Sequence, residues 1–312
     1  MQTGLVIKTT GSWHTVRTEA GKDILCKVKG KFRIKGIRTT NPVAVGDIVD
    51  IQNTDDDNIG TIIKIHGRRN YIIRKAINLS RESHIIASNL DHAWLIACLR
   101  NPSTFSMFID RYLVTAHAYQ IPASLIFNKW DIYTKEEQDK FKNWKSIYEK
   151  AGYRCIITSA ETGLGIDELR EATIGKLNVF SGNSGVGKSS LINKLDPSLD
   201  LRTDTISESH HTGKHTTTFS EMLSIEGGGR IIDTPGISGF GTVEIEKNEL
   251  YHFFPEIFKY SDNCQFHNCT HYHEPGCAVQ EAVIKGEVSK MRYGNYVTMF
   301  EDEPGKYRQT PW

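Results

Sequence analysis

The chain has 312 residues, of which 38% are hydrophobic and 24% charged, and its formal net charge is +1. That length supports two or three domains with a sizeable core, and the balance excludes a disordered polypeptide. No apolar run approaches the roughly 20 residues that span a bilayer, and the opening MQTGLVIKTTG lacks the basic-then-apolar pattern of a secretory signal, so a cytoplasmic protein with no membrane partner is expected.

Residues 1–75 alternate short β-rich runs (GLVIKTTG, WHTVRT, DILCKVKG, FRIKGI, DIVDIQ, TIIKIHG) with turn signals such as Gly11, Gly21, Gly46 and Asn41-Pro42. Strands at that spacing predict a small all-β barrel of the OB type. This segment holds fourteen Lys and Arg against seven Asp and Glu, whereas the remainder is mildly acidic. A basic module on an acidic body points to a polyanionic partner. Lys27, Lys29, Lys31, Arg33, Lys35 and Arg38 recur at strand period. They fit either an RNA-contacting face or a merely solvated one.

From 76 to 243 the pattern changes. Near-continuous apolar runs (HAWLIACL, ASLIFNKWD, CIITSA, LNVFSG, RIIDTPG) alternate with helical stretches at 106–119, 134–151 and 188–195. These predict an α/β domain whose mostly parallel sheet is covered on both faces. Cys26, Cys98 and Cys155 sit in such apolar runs, as buried thiols do. The last part, 244–312, is helical in pattern and aromatic, and is read as a third, mainly α domain that binds zinc.

Five motifs lie on the α/β domain. Gly182, Asn183, Ser184, Gly185, Val186, Gly187, Lys188 and Ser189 match GxxxxGK[ST] between a strand and a helix that continues through Ser190. Glycines let backbone N–H groups turn toward phosphates, and the helix N-terminus adds its dipole. Lys188 then reaches the β- and γ-phosphates, and Ser189 holds Mg²⁺. Asn128, Lys129, Trp130 and Asp131 form N-K-x-D at a strand end. A carboxylate there accepts from guanine N1–H and N2–H₂, a donor pair adenine lacks, so Asp131 argues against an ATP-using enzyme. Ser159 and Ala160 end the next strand as a second base-recognition loop. Asp233, with Gly236 in D-T-P-G, is a Mg²⁺-holding Asp at a strand end. Thr217, within the run Thr216, Thr217, Thr218, is the second Mg²⁺ ligand, and His215 precedes it.

The order is base, base, phosphate, first switch, second switch, which a permuted chain accommodates because domain termini lie close together. A Gln that orders the attacking water often follows the second switch motif, and here that position is Ile237. Slow intrinsic turnover and activation by a partner are therefore expected. His215 either substitutes for the Gln or is a solvated loop histidine.

Cys264, Cys269, His271 and Cys277 follow C-x₄-C-x-H-x₅-C. Three thiolates and an imidazole make a closed tetrahedral set that selects structural Zn²⁺, one per chain, pinning a segment with no core of its own. His267 and His273 are alternative fourth ligands.

Together these features resemble the bacterial small-ribosomal-subunit biogenesis GTPases of the RsgA (YjeQ/YloQ) family over essentially the whole chain. The carriers are AVGDIV at 44–49, IDRYLVTA at 109–116, FNKWD at 127–131, GNSGVGKSSLIN at 182–193, GKHTTT at 213–218, IIDTPGISGF at 231–240, HEPGCAV at 273–279 and RYGNY at 292–296. The resemblance implies an OB-fold domain that contacts 16S rRNA and a GTP/GDP cycle stimulated by the 30S subunit. It also implies a role in late 30S maturation and a catalytic His215. An RNA-binding checkpoint whose turnover is incidental is the alternative, and a monomer is expected.

Overall fold

The structure is a computed structural model that describes residues 2–28, 42–54, 58–75, 83–201, 220–233 and 245–302. The expected strand FRIKGI therefore lies outside the described residues, as do the basic positions Lys29, Lys31, Arg33, Lys35 and Arg38.

The first five strands are β1 (Gln2–Thr10), β2 (Trp13–Thr18), β3 (Asp23–Val28), β4 (Ile48–Asn53) and β5 (Ile59–Ile65). They pair in the order β1-β2-β3-β5-β4, and β4 returns to β1. Only β3 and β5 run parallel. This is the closed five-stranded barrel expected of an OB fold. Alternate residues point inward and fill it: Val6, Val16, Ile24, Cys26, Val49, Ile51 and Ile62. Next comes a separate hairpin, β6 (Tyr71–Lys75) with β7 (Ser83–Ser88).

The AVGDIV motif joins the barrel to this hairpin. Asp47 is fully buried and accepts from Arg68 Nε (2.6 Å) and Nη2 (2.5 Å), from Ser88 Oγ (2.6 Å) and from the Ala44 N–H (2.9 Å). Gly46 sits at φ +96°, and a Cβ there would lie 2.1 Å from the Ser88 carbonyl oxygen, so only glycine fits.

The α/β part contains β8 (His92–Ala97), α1 (Ser106–Ala118), β9 (Ala123–Phe127), α2 (Lys135–Lys150), β10 (Cys155–Ile157), α3 (Ile166–Thr173), β11 (Leu177–Ser181), α4 (Lys188–Leu195), β12 (Ser220–Ile225) and β13 (Gly229–Asp233). Strand order is β10-β9-β8-β11-β13-β12, parallel throughout except for β12. Residues of β8 alternate between two cores. Ala93, Leu95 and Ala97 pack with α1 and α2, and Trp94 and Ile96 pack with α3 and α4. Both faces are thus covered, as the apolar runs predict. A capping box at Thr134, with Glu137 reciprocating, starts α2.

The C-terminal part has a 3₁₀ segment (Lys247–Phe253), α5 (Pro255–Ser261), α6 (Ala278–Ile284) and α7 (Lys290–Glu301). It corrects one expectation, because it has a core. Leu250, Phe254, Ile257, Val279, Ala282, Val288 and Tyr296 cluster there with Val114 of α1, and Cys269 and Cys277 are members of the same cluster.

A buried ionic triad fastens this core to the α/β domain. Arg292 of α7 donates to Asp110 of α1 (2.6 Å) and, through two nitrogens, to Glu256 of α5 (2.6 and 3.0 Å). Asn295 donates to the other Asp110 oxygen at 2.5 Å. The IDRYLVTA and RYGNY motifs, 182 positions apart at their closest ionic contact, therefore meet.

Candidate functional site

The parallel strands β8, β9, β10, β11 and β13 all end along one edge of the sheet, where α/β sheets place ligand loops. From the central strand β11 the chain enters the glycine-rich loop. Gly182 lies at φ +149°, and a Cβ would sit 2.6 Å from the Ile96 carbonyl oxygen. Gly187, at φ +95°, leaves the start of α4 free to abut Asn128, whose Nδ2 a Cβ would meet at 2.5 Å. Lys188 Nζ donates to the carbonyls of Gly182 (2.7 Å) and Asn183 (3.0 Å), so it lies across the loop it would share with phosphate. Ser184 and Gly185 are exposed at the loop tip, Val186 is buried beneath, and Ser189 and Ser190 are half-buried in the first turn of α4.

Asn128 ties three of the loops together. It is 1% exposed, its Nδ2 donates to the Val186 carbonyl (2.8 Å), and its Oδ1 accepts from Thr158 Oγ1 (2.9 Å). The N-K-x-D loop is thereby locked to the phosphate loop on one side and to the β10 loop on the other. Lys129, at φ +65°, donates Nζ to the Asn101 carbonyl. Trp130 opens a short 3₁₀ turn, with Lys142 Nζ 5.9 Å from its ring centroid. Asp131 is exposed, and its Oδ1 accepts from Ser159 Oγ, which in turn accepts from the Thr162 N–H at 3.1 Å. The Ala160 N–H has no partner among the described residues. Thus the Asp131 carboxylate and the loop after β10 stand side by side, tied through the Ser159 hydroxyl.

β13 places the Asp233 backbone at the same edge, next to β11. His215, Thr216, Thr217, Thr218, Gly236 and Ile237 lie outside the described residues.

The Cys/His set is a second site. The ligand atoms of Cys264, Cys269, His271 and Cys277 all lie within 4.8 Å of one another. Cys264 Sγ is 3.4 Å from His271 Nδ1 and 4.0 Å from Cys277 Sγ, and Cys277 Sγ is 3.7 Å from the same Nδ1. A tetrahedral ion with Zn–S near ~2.3 Å implies edges of about 3.8 Å, so these residues fit zinc. Burial pushes the Cys269 thiol up to about 12 and raises Cys277 too. A cation held there would favour the thiolate form of its ligands. His267 and His273, the alternative ligands, are exposed and stand outside the set.

The model of the RsgA GTPase family matches residues 65–243, and that of the RsgA N-terminal domain matches residues 3–62. The chain is 53% identical over 306 residues to the small ribosomal subunit biogenesis GTPase RsgA of Phocaeicola vulgatus, covering 98% of each chain. The chain belongs to the RsgA GTPase family. The Flavobacterium psychrophilum member is 50% identical, over 98% of this chain and 94% of that one. Among solved structures, YjeQ from Thermotoga maritima superposes with a TM-score of 0.78 at 35% identity, covering 96% of this chain and 97% of that one. YloQ, described as a circularly permuted GTPase, gives a TM-score of 0.74 at 31% identity, covering 96% of this chain and 94% of that one.

Membership in the RsgA family makes the chain a GTP hydrolase and implies Mg²⁺ with the GTP. The permuted motif order is that of the family, and the strand order shows how it is tolerated: the phosphate strand β11 inserts between β8 and β13, each contributed by a different part of the chain. Sequence reasoning missed Glu274. Burial works against its charge, but bonds from Thr270 Oγ1 (2.5 Å) and the Thr270 (2.9 Å), Tyr272 (3.1 Å) and His273 (3.2 Å) N–H groups outweigh it, holding the carboxyl down to about 2. It organises the turn between Cys269 and Cys277 while Cys269 Sγ donates to it at 3.7 Å. The E-P-G within HEPGCAV is its only trace in the sequence. No helix among the described residues is long and apolar enough to cross a membrane.

Proposed function

We propose that this chain is a GTP switch of small-subunit assembly, hydrolysing GTP to GDP and phosphate when it docks on the maturing 30S particle. The observation that carries this reading is the three-way lock at Asn128. It makes base recognition and phosphate binding one rigid unit, in a chain 53% identical to a named small-subunit biogenesis GTPase. Asp131, Ser159 and Ala160 read guanine, with Asn128, Lys129 and Trp130 supporting that edge. The loop from Gly182 to Ser190 holds the phosphates, and Lys188 neutralises charge that builds on them. Ser189 and Thr217, together with Asp233 and Gly236, would hold the Mg²⁺, which would supply positive charge against the phosphates. His215 orders the water in place of the Gln that Ile237 displaces.

The chain divides into 1–75, 76–243 and 244–312, the first contacting 16S rRNA and the last holding one structural zinc. It works as a monomer in the cytoplasm. The test is GTP hydrolysis by purified protein with and without 30S particles. Slow turnover alone and many-fold acceleration with particles are expected, and equal rates would reject the activation. Base reading has its own check. Asp131→Asn loses the acceptor for two guanine donors, so GTP affinity drops by about 10³-fold or more while xanthosine triphosphate binding rises. Undiminished GTP binding by that variant would remove Asp131 from the base site.

A further inference from the structure

The barrel and the α/β domain share a strand. The first half of β1 closes the barrel against β4, with Gln2 to Leu5 opposite Ile51 to Ile48. Its second half leaves the barrel's closing seam and pairs with β12, Lys8 opposite Glu221 and Thr9 opposite Ser220. Between the two halves lies a bulge. Val6 pairs with Val16 and Lys8 with Thr15, leaving Ile7 without a partner on β2. Bulges re-aim side chains, and this one does so across a domain boundary: Val6 belongs to the barrel core, whereas Ile7 packs in the α/β core with Val45, Leu177 and Met222. The eleven strands from β10 to β4 are therefore one hydrogen-bonded sheet. Among the described residues the ladder at the joint is two residue pairs long, reinforced by Lys8 Nζ bonded to both Glu221 oxygens at 3.0 and 2.9 Å.

β12 begins at Ser220, two residues after Thr218. We propose that β1 is a strut through which the barrel sets the rate of hydrolysis. Its Lys8–Glu221 and Thr9–Ser220 pairs hold β12, and β12 in turn pairs at Glu221 with the Asp233 backbone at the end of β13, so that barrel docking fixes where that end of the sheet stands. Lys8 and Glu221 are positioning residues: Glu221 stands opposite the Asp233 backbone in the β12–β13 ladder, and Lys8 lies one strand further out. This inference rests on the reading of the chain as a ribosome-stimulated GTPase.

Lys8 and Glu221 are 40% and 46% exposed, so their ion pair adds little to overall stability. Reversing one charge puts two carboxylates directly opposite each other across the ladder and opens the joint without disturbing either core. Lys8→Glu, Glu221→Lys and the double swap are compared in purified full-length protein. In Lys8→Glu the stimulated maximal rate falls about fivefold, while the rate without particles and the half-saturating 30S concentration are unchanged; the double swap restores the maximum. A rise in half-saturating concentration at an unchanged maximum would make Lys8 an RNA contact and overturn the strut. Amide hydrogen exchange over residues 220–225, measured without particles, keeps the two failures apart. It speeds up in Lys8→Glu and recovers in the swap. Unaltered exchange there overturns the strut on its own, whereas altered exchange in a chain whose wild type shows no stimulation overturns the ribosome-triggered reading instead.

Discussion

Replacing Arg292 by Met is expected to destabilise the protein by about 3–5 kcal/mol, because it leaves two buried carboxylates without their cation. Arg292, Asp110 and Glu256 are 1%, 0% and 8% exposed, so solvent cannot take over the guanidinium's role. The guanidinium also lies over three rings, Phe254 at 4.9 Å, Tyr148 at 5.3 Å and Tyr153 at 5.4 Å from its carbon to the centroid, and Met keeps only part of that packing. Arg292→Lys should fall between the two, since an ammonium cannot fork to Glu256 and still reach Asp110.

The loss carries a pH signature. Burial raises the Asp110 carboxyl above its ordinary range even against the pull of Arg292. Two acids share one cation, and Asp110 is the one with no second guanidinium bond. A group whose folded pKa lies above its unfolded value binds its proton more tightly when folded. Its stabilisation is complete below the unfolded pKa and lost as pH rises through the folded one. Without Arg292 that upward shift grows, so the variant should be closest to wild type near pH 5 and furthest from it near pH 8. Urea unfolding at both pH values measures this. A loss under 1 kcal/mol, or one that shrinks as pH rises, would mean the triad is not the clamp between the α/β and C-terminal cores.

The second large effect concerns the metal. Structural zinc contributes about 10–16 kcal/mol of binding free energy in small sites at neutral pH. Here two of the residues that would hold it, Cys269 and Cys277, are members of the hydrophobic cluster itself. Cys277→Ser should therefore abolish stoichiometric zinc and loosen the C-terminal helices together. Metal analysis should fall from about one zinc per chain to well below one, and limited proteolysis should begin within 245–302. The nucleotide loops hang from β8 to β13, outside that cluster, so GTP binding should persist. Full zinc content in the variant would remove Cys277 from the ligand set.

What could be read in advance follows from how local each signal is. The barrel strands, the parallel strands and the helices at 106–119, 134–151 and 188–195 are written in period-2 and period-3.6 patterns. They appear within a residue or two of those bounds as Ser106–Ala118, Lys135–Lys150 and Lys188–Leu195. The phosphate loop and the Cys/His set are likewise local, since spacing alone states their chemistry. The ionic triad left no such mark. Asp110 and Arg292 lie 182 positions apart, and a charged residue on a helix reads as solvent-facing until its partner is known. The same holds for Asp47 with Arg68, which turns AVGDIV from a resemblance into a joint. β12 is short, polar at Ser220, Glu221 and Ser224, and antiparallel at the end of a parallel series, so neither apolar run nor alternation announces it. The double duty of β1 depends on one bulged residue, and a single extra residue is invisible to periodicity.

The strand shared between barrel and sheet also has a consequence for synthesis. A chain emerging from its N-terminus has every strand of the barrel by residue 65, and β8 and β9 by residue 127. β11 must then add to the free edge of β8, and β13 to β11, before β12 is in place to meet β1. Contacts of such long sequence separation form late. The Lys8–Glu221 pair, 213 residues apart, can close only when both lobes exist. An exposed, basic β1 end thus marks an unfinished molecule, and its burial against β12 marks a complete one.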